Sequence, residues 1–297
     1  MVNNGILIKK IALGTAQFGL KYGIANRIGK LSKEEVFTIL EFAYRCGIGT
    51  LDTAYSYGES EEIIGEFISQ SKKGFKIISK LPNLDNNGIL EVERYCQKTL
   101  GRLKQDKIYG YLIHKFDDMV SYKGDLWSEI ESLKYKGLVY KIGFSIYKIE
   151  ELEYLLNNNI SFDILQFPYN IFDQRFEEYF PILRKKGVEI YTRSVFLQGL
   201  FFLKADKIDR DFRSAKNMIE KLRQISADYK IPMHSLCLCF VMLNPFVDKV
   251  IIGLDSLEQL KQNINFMEYL NKVKNIYSLL KSLKFHNEEV ILPYNWK

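Results

Sequence analysis

Short apolar, β-branched runs alternate with longer amphipathic stretches along the whole chain. The runs at residues 11–15, 50–52, 76–80, 108–113, 140–145, 164–167, 189–192 and 249–253 have the length and composition of buried strands. Between and after them, residues 33–46, 60–69, 90–103, 122–136, 149–157, 177–186, 212–229 and 257–269 carry apolar positions at helical spacing. Several of these stretches stop at glycine, as in Cys46-Gly47, Lys136-Gly137 and Lys186-Gly187. Eight strand–helix alternations without a strand-only stretch predict an α/β fold, a (β/α)8 TIM barrel of parallel strands. Residues 235–243 and 273–283 read as extra helices, the second beyond the last barrel helix. An open doubly wound sheet would start with a glycine-rich dinucleotide fingerprint, and Gly14-Thr15-Ala16-Gln17-Phe18-Gly19 has the wrong spacing for one. No linker or internal repeat divides the chain, so residues 1–297 are expected to form one domain.

Composition narrows the class without naming an activity. The 42 Lys+Arg against 36 Asp+Glu leave a net charge of +6, but the basic residues are interspersed with acids rather than gathered on one stripe. A nucleic-acid partner is therefore not expected. No apolar run is long enough to span a bilayer and residues 1–10 lack a signal-peptide core, so no membrane partner and a cytoplasmic setting are expected. Cys46, Cys96, Cys237 and Cys239 offer no disulfide or metal spacing; Cys237 and Cys239, two apart on a helix, point away from each other. No metal site is expected.

In a parallel barrel the C-terminal ends of the strands converge on one mouth, where chemistry takes place. The second strand ends in Asp52, with Tyr57 in the loop behind it; the third ends in Lys80; His114 follows the fourth. Each has an ordinary structural use alone: a cap, a solvated cation, a packed imidazole. At successive strand ends they make a coherent set. Lys80 would lower the phenol pKa of Tyr57, Asp52 would hold the ammonium charged, and His114 would orient an oxygen toward Tyr57. Such a set suits protonation of the oxyanion formed when hydride reaches a carbonyl.

These residues also carry a resemblance. Leu51-Asp52-Thr53-Ala54-Tyr55-Ser56-Tyr57-Gly58-Glu59-Ser60-Glu61, continuing to Ile64-Gly65, resembles the signature of the aldo-keto reductase superfamily, and Lys80 and Leu112-Ile113-His114 fall where that family keeps its other catalytic positions. The resemblance runs from Leu13-Gly14-Thr15 to Leu292-Pro293-Tyr294-Asn295-Trp296. It implies an NAD(P)H-dependent reductase of aldehydes or ketones, with the cofactor bound in an extended pose. Asp52, Tyr57, Lys80 and His114 would be catalytic.

On the cofactor side the resemblance implies Gly14, Thr15, Asp52, Ser145, Gln166, Arg193, Ser194, Gln198, Gly253, Asp255, Gln259 and Asn263. Ser145, within Ile142-Gly143-Phe144-Ser145, and Gln166 match the family's ligands for the nicotinamide carboxamide. Three departures stand out. Ile146 replaces the Asn that often follows the serine. Arg193 replaces the Tyr that stacks on the nicotinamide, and its planar guanidinium could stack there too, favouring the reduced cofactor over the cationic oxidised one. Gly253 and Gln259 replace the Lys and Arg that commonly hold a 2′-phosphate, and Asp255 adds a negative charge that could accept a ribose hydroxyl. Family habit favours NADP(H) over NAD(H), which stays open.

Phe18, Tyr22, Tyr55, Phe116 and Phe196 are candidate walls of a pocket for a small carbonyl substrate, and the loops 21–30 and 197–210 are candidate specificity elements. The stretch from Arg193 to Leu200 is similar to superfamily members associated with sugar and surface-polysaccharide metabolism, so a sugar is one candidate. Two other classes compete: a nicotinamide-binding regulatory subunit with little turnover, and a Schiff-base aldolase or isomerase using Lys80, which its pairing with Asp52 disfavours. A monomer or small homo-oligomer is expected.

Overall fold

The computed structural model describes residues 4–84, 88–203 and 210–296. Eight strands form a closed barrel in chain order: β1 (Ile11–Gly14), β2 (Thr50–Asp52), β3 (Lys76–Leu81), β4 (Ile108–Ile113), β5 (Val139–Ser145), β6 (Ile164–Pro168), β7 (Glu189–Arg193) and β8 (Lys249–Ile252). Every neighbouring pair is parallel, including the closing pair of β1 and β8. This is the (β/α)8 barrel expected from the alternation.

Two apolar clusters follow from the pleat. Ala12, Ile78, Leu112, Ile164, Tyr191 and Ile251 form one of them, a layer filling the barrel interior. Side chains two apart on a strand share a face. The next inward position on each of these strands is therefore Gly14, Lys80, His114, Gln166, Arg193 and Gly253, and the same step runs from Thr50 to Asp52 and from Gly143 to Ser145. The larger cluster lies between the strands and the surrounding helices. It includes Cys237 and Cys239, both fully buried on the helix Met233–Met242.

The helices depart from expectation mainly at their ends. The fourth begins at Phe116 rather than near residue 122, running Phe116–Tyr135 directly after β4. The stretch read as 257–269 divides into Leu257–Ile264 and a 3₁₀ turn, Asn265–Tyr269. That read as 273–283 divides into Leu270–Asn275 and Tyr277–Lys281. Among the described residues, three further helices have too few residues for a periodic signal: Asn4–Lys10, before β1, Ala16–Gly19, after it, and Glu288–Ile291. Among the described residues no helix is long and apolar enough to cross a membrane.

Candidate active site

The mouth of the barrel opens into a cavity of about 910 Å3, near the top of the ~300–1,000 Å3 range of small-molecule sites. At its floor Lys80 Nζ lies 2.8 Å from Asp52 Oδ2 and donates to Thr53 O at 2.8 Å. Both side chains are almost wholly buried, at 1% and 5% exposure. Burial pulls the Lys80 pKa down and Asp52 pulls it back up. The other Asp52 oxygen, Oδ1, accepts from Gln166 Nε2 at 2.7 Å. A carboxylate only accepts, so the Gln166 amide must turn its NH2 toward Asp52. That leaves Gln166 Oε1 for the Ser145 hydroxyl, 3.3 Å away. Lys80, Asp52, Gln166 and Ser145 are thus one chain across β3, β2, β6 and β5.

Tyr57 is delivered by a tightly packed loop. A Cβ on Gly19 would sit 1.8 Å from Tyr57 O, and one on Gly58, at φ +56°, would sit 2.5 Å from Gly19 O. Only glycine permits that approach. Beneath it the hydroxyls of Thr15, Thr53 and Ser60 bond one another, and Thr15 also donates to Asp52 O at 3.0 Å. Lys80 Nζ lies 5.2 Å from the Tyr57 ring centre. The expected lowering of the phenol pKa is absent. Burial raises it, Asp52 and Tyr147 raise it further, and Arg193 alone opposes them. The main reason is burial of the phenol, with the Asp52 carboxylate adding to it on the same side as Lys80. Tyr57 therefore holds its proton.

His114 meets Tyr57 edge-on, with ring centres 5.8 Å apart. Burial, with Lys80 and Arg193 nearby, brings its pKa down to about 3. The imidazole is neutral near pH 7. Ser56 Oγ lies 3.4 Å from its Nδ1.

Arg193, at the end of β7, enters the cavity rather than solvent. Its Nη2 donates to Ile146 O at 2.9 Å, and its guanidinium lies 3.7 Å from the centre of the Tyr147 ring. Tyr147 in turn meets Tyr294 edge-on at 4.7 Å. Loop 20–30 and the segment after β7 close over this side: Ile24 N donates to Gln198 O at 3.1 Å, and Gln198 Nε2 to Tyr22 Oη at 2.8 Å.

Beyond β8, Asp255 N donates to Gln259 Oε1 at 2.8 Å, and Gln259 Nε2 lies 3.4 Å from Asp255 Oδ2. Asp255 Oδ1 is buried without a hydrogen-bond partner. A Cβ on Gly253 would come within 2.8 Å of the Gln17 amide, which fills the space beside it.

All twelve positions expected on the cofactor side line this one cavity, as do Tyr57, His114, Tyr22 and Phe196. Lys80 stands behind Asp52. Phe18, Tyr55 and Phe116 do not line it. Phe18 is fully buried on the short helix Ala16–Gly19. Tyr55 packs edge-on against Tyr95 at 5.1 Å and under the Arg102 guanidinium at 4.1 Å. Phe116, drawn into the helix that starts there, packs against Phe144 and Tyr154. Of loop 197–210, residues 204–209 lie outside the described residues. Reading strand ends alone misses Gln17, Tyr147, His234 and Trp296, which also line the cavity. Tyr147, two residues beyond Ser145, was within reach of the same alternation; Trp296 arrives only through the packing of the C-terminal segment on Phe212.

The aldo/keto reductase family profile matches residues 10–284. The chain belongs to the aldo/keto reductase family. It is 25% identical over 310 residues to an uncharacterized oxidoreductase of Bacillus subtilis, YqkF, covering 96% of this chain and 98% of that protein. It is also 25% identical over 308 residues to the NADH-specific methylglyoxal reductase of Escherichia coli, covering 86% of this chain and 93% of that one. Among solved structures, aldo-keto reductase AKR11C1 of Bacillus halodurans in its holo form superposes with a TM-score of 0.74 at 22% identity, covering 94% of each chain. The family is one of oxidoreductases that use nicotinamide cofactors and act on small carbonyl compounds.

Proposed function

We propose that this chain reduces an aldehyde or ketone to the alcohol, with Tyr57 donating the proton that completes the product. The observation that carries the reading is a protonated phenol and a neutral imidazole facing one cavity above the buried Lys80–Asp52 pair. The residues at the cavity's floor fit a nicotinamide: Ser145 offers a hydroxyl and Gln166 a carbonyl oxygen, the complementary partners of a carboxamide. Bound there, the reduced nicotinamide supplies the hydride that adds to the carbonyl carbon.

His114, neutral, donates a hydrogen bond to the carbonyl oxygen and aims it at Tyr57. As the oxygen gains electrons, Tyr57 gives up its proton to it. The alkoxide is a stronger base than the phenolate, so a phenol of raised pKa is still a sufficient acid. Lys80 then steadies the phenolate until it is reprotonated. Arg193 lines the cavity from the β7 side, and its charge would oppose a cationic oxidised ring bound there.

The substrate is a small carbonyl compound, bounded by Tyr22, Phe196 and Trp296. Aldehyde-handling relatives support that class, among them the methylglyoxal reductase and the pyridoxal 4-dehydrogenase of Microbacterium luteolum, 21% identical. A sugar aldehyde also suits aromatic walls. The test is loss of the reduced-nicotinamide absorbance with NADH and NADPH in parallel over a panel of aldehydes, dicarbonyls and ketoses. No oxidation with any member of the panel would overturn the reading.

A further inference from the structure

Resting on the reading that Tyr57 is the proton donor, we infer that Glu61 and Arg102 are positioning residues that hold Tyr57 over Lys80 from outside the barrel, acting through Tyr55 and Ser79. None of these four lines the cavity. Ser79 precedes Lys80 on β3, and the pleat that turns Lys80 inward turns Ser79 out toward the helices. Tyr55 lies between Asp52 and Tyr57, in the segment that carries the phenol.

Both meet at one buried carboxylate. Glu61 lies four residues past Tyr57 on the helix Ser60–Ser71 and is fully buried. Its Oε1 accepts from the Ser79 hydroxyl at 2.6 Å, and its Oε2 lies 3.3 Å from Arg102 Nη1. Arg102 stands on the helix Val92–Leu103, where its Nε also meets Glu62 Oε1 at 3.1 Å. The same Nη1 lies 3.4 Å from Tyr55 O, and the guanidinium lies 4.1 Å from the centre of the Tyr55 ring. Tyr55 N closes the circuit by donating to Lys80 O at 3.2 Å. The two helices come this near through Gly65, where a Cβ would sit 2.1 Å from Arg102 O.

A carboxylate taken out of water is costly unless it is paired and hydrogen-bonded. Burial raises the Glu61 pKa, and Ser79 and Arg102 are among the groups that work against the rise. Apolar side chains could fill the same space without that cost. What they would not supply is direction. The guanidinium binds Glu61 by its edge and Tyr55 by its face, which fixes the height of the loop against β3. The close contact of Gly19 with Gly58 grips the loop on the Tyr57 side, and this brace grips it on the Tyr55 side. Between them the phenol ring is set 5.2 Å from Lys80 Nζ. Misplacement of a reacting group by about 1 Å, caused far from the chemistry, can lower a rate ~10²-fold.

The experiment compares Arg102→Met, Arg102→Lys and the double variant Glu61→Gln, Arg102→Met in the full-length protein. Steady-state rates over the aldehyde panel, calorimetric cofactor Kd and urea denaturation are measured for each. The ¹³Cζ resonance of Tyr57, assigned by its absence from Tyr57→Phe, reports the phenol without any substrate. Arg102→Met should lower kcat by about 10- to 100-fold, with KM and cofactor Kd within about twofold of the parent, and should move the Tyr57 resonance. Arg102→Lys, which keeps the charge without the planar fork, should fall between that variant and the parent. The double variant leaves no unpaired charge, so it should recover stability without recovering kcat; it carries the test if Arg102→Met does not fold. A double variant that regains kcat together with stability overturns the inference, as does a Tyr57 resonance that is the same in every variant. A parent protein that turns over no member of the panel overturns instead the reading of Tyr57 as donor, while the resonance still decides whether the brace holds the phenol.

Discussion

Gln166 donates from Nε2 to Asp52 Oδ1 at 2.7 Å, while Asp52 Oδ2 holds Lys80. The residue proposed to orient the nicotinamide carboxamide is thereby fastened to the ion pair beneath the proposed proton donor. A change at either place is felt at the other. Gln166→Glu would set two carboxylates against each other. We expect a proton to be taken up there and cofactor Kd to rise roughly tenfold, since hydrogen bonds at a charged group contribute ~1.5–3 kcal/mol. Calorimetric cofactor titration checks this, and an unchanged Kd would detach Gln166 from the site.

Asp52→Asn leaves the Lys80 ammonium buried without its counter-charge. Removing one partner of such a pair costs about 3–5 kcal/mol of stability. The double variant Asp52→Asn, Lys80→Met should recover much of that loss while staying inactive. Urea denaturation of the three proteins measures both; a double variant as unstable as the single one would mean that the cost is not electrostatic.

Tyr57→Phe keeps the packing of the Gly19–Gly58 contact and removes only the hydroxyl. Turnover should fall by at least ~10²-fold, the lower end for general acid catalysis, with cofactor affinity nearly unchanged. Activity within twofold of the parent protein would sink Tyr57 as the donor.

His114 is held neutral, with a pKa of about 3 against 6.5 for the free group. Between these values the unfolded chain binds a proton there that the folded chain refuses. Stability is therefore lost as pH falls through 6.5, by up to about 1.4 kcal/mol per unit. Relative to His114→Gln, the protein should lose roughly 2 kcal/mol between pH 6.5 and pH 5; parallel denaturation curves at both pH values read the difference.

Ser56 Oγ and His114 Nδ1 lie 3.4 Å apart, and a neutral ring that donates to substrate from Nε2 accepts from Ser56 at Nδ1. In ¹⁵N spectra His114 should be the Nε2–H tautomer, and Ser56→Ala should yield a mixture with a several-fold lower kcat. A pure Nδ1–H ring in the unaltered protein would contradict that assignment.

How much of this was legible in the chain depends on the range of the interaction involved. The period-two step along each strand is a property of the backbone, so Asp52, Lys80 and His114 could be placed at one mouth from the pattern of runs, while Gly14, Ser145, Gln166, Arg193 and Gly253 are placed there by the family resemblance. Phe18, Tyr55 and Phe116 sit in connecting segments, where no fixed period tells which way a ring turns; packing against Tyr95, Arg102 and Phe144 turned two of them away. The electrostatics were equally out of reach. That Lys80 could act as a cation was evident, but the Tyr57 pKa is set first by burial of the phenol and then by the nearby Asp52 charge. Alternation, glycine stops and residue types at strand ends determined the barrel and the group Asp52, Tyr57, Lys80 and His114 at its mouth. Tertiary structure decided which charges neutralise one another, which rings line the cavity, and that Asp255 is left with a bare oxygen, because each depends on distances between residues far apart in the chain.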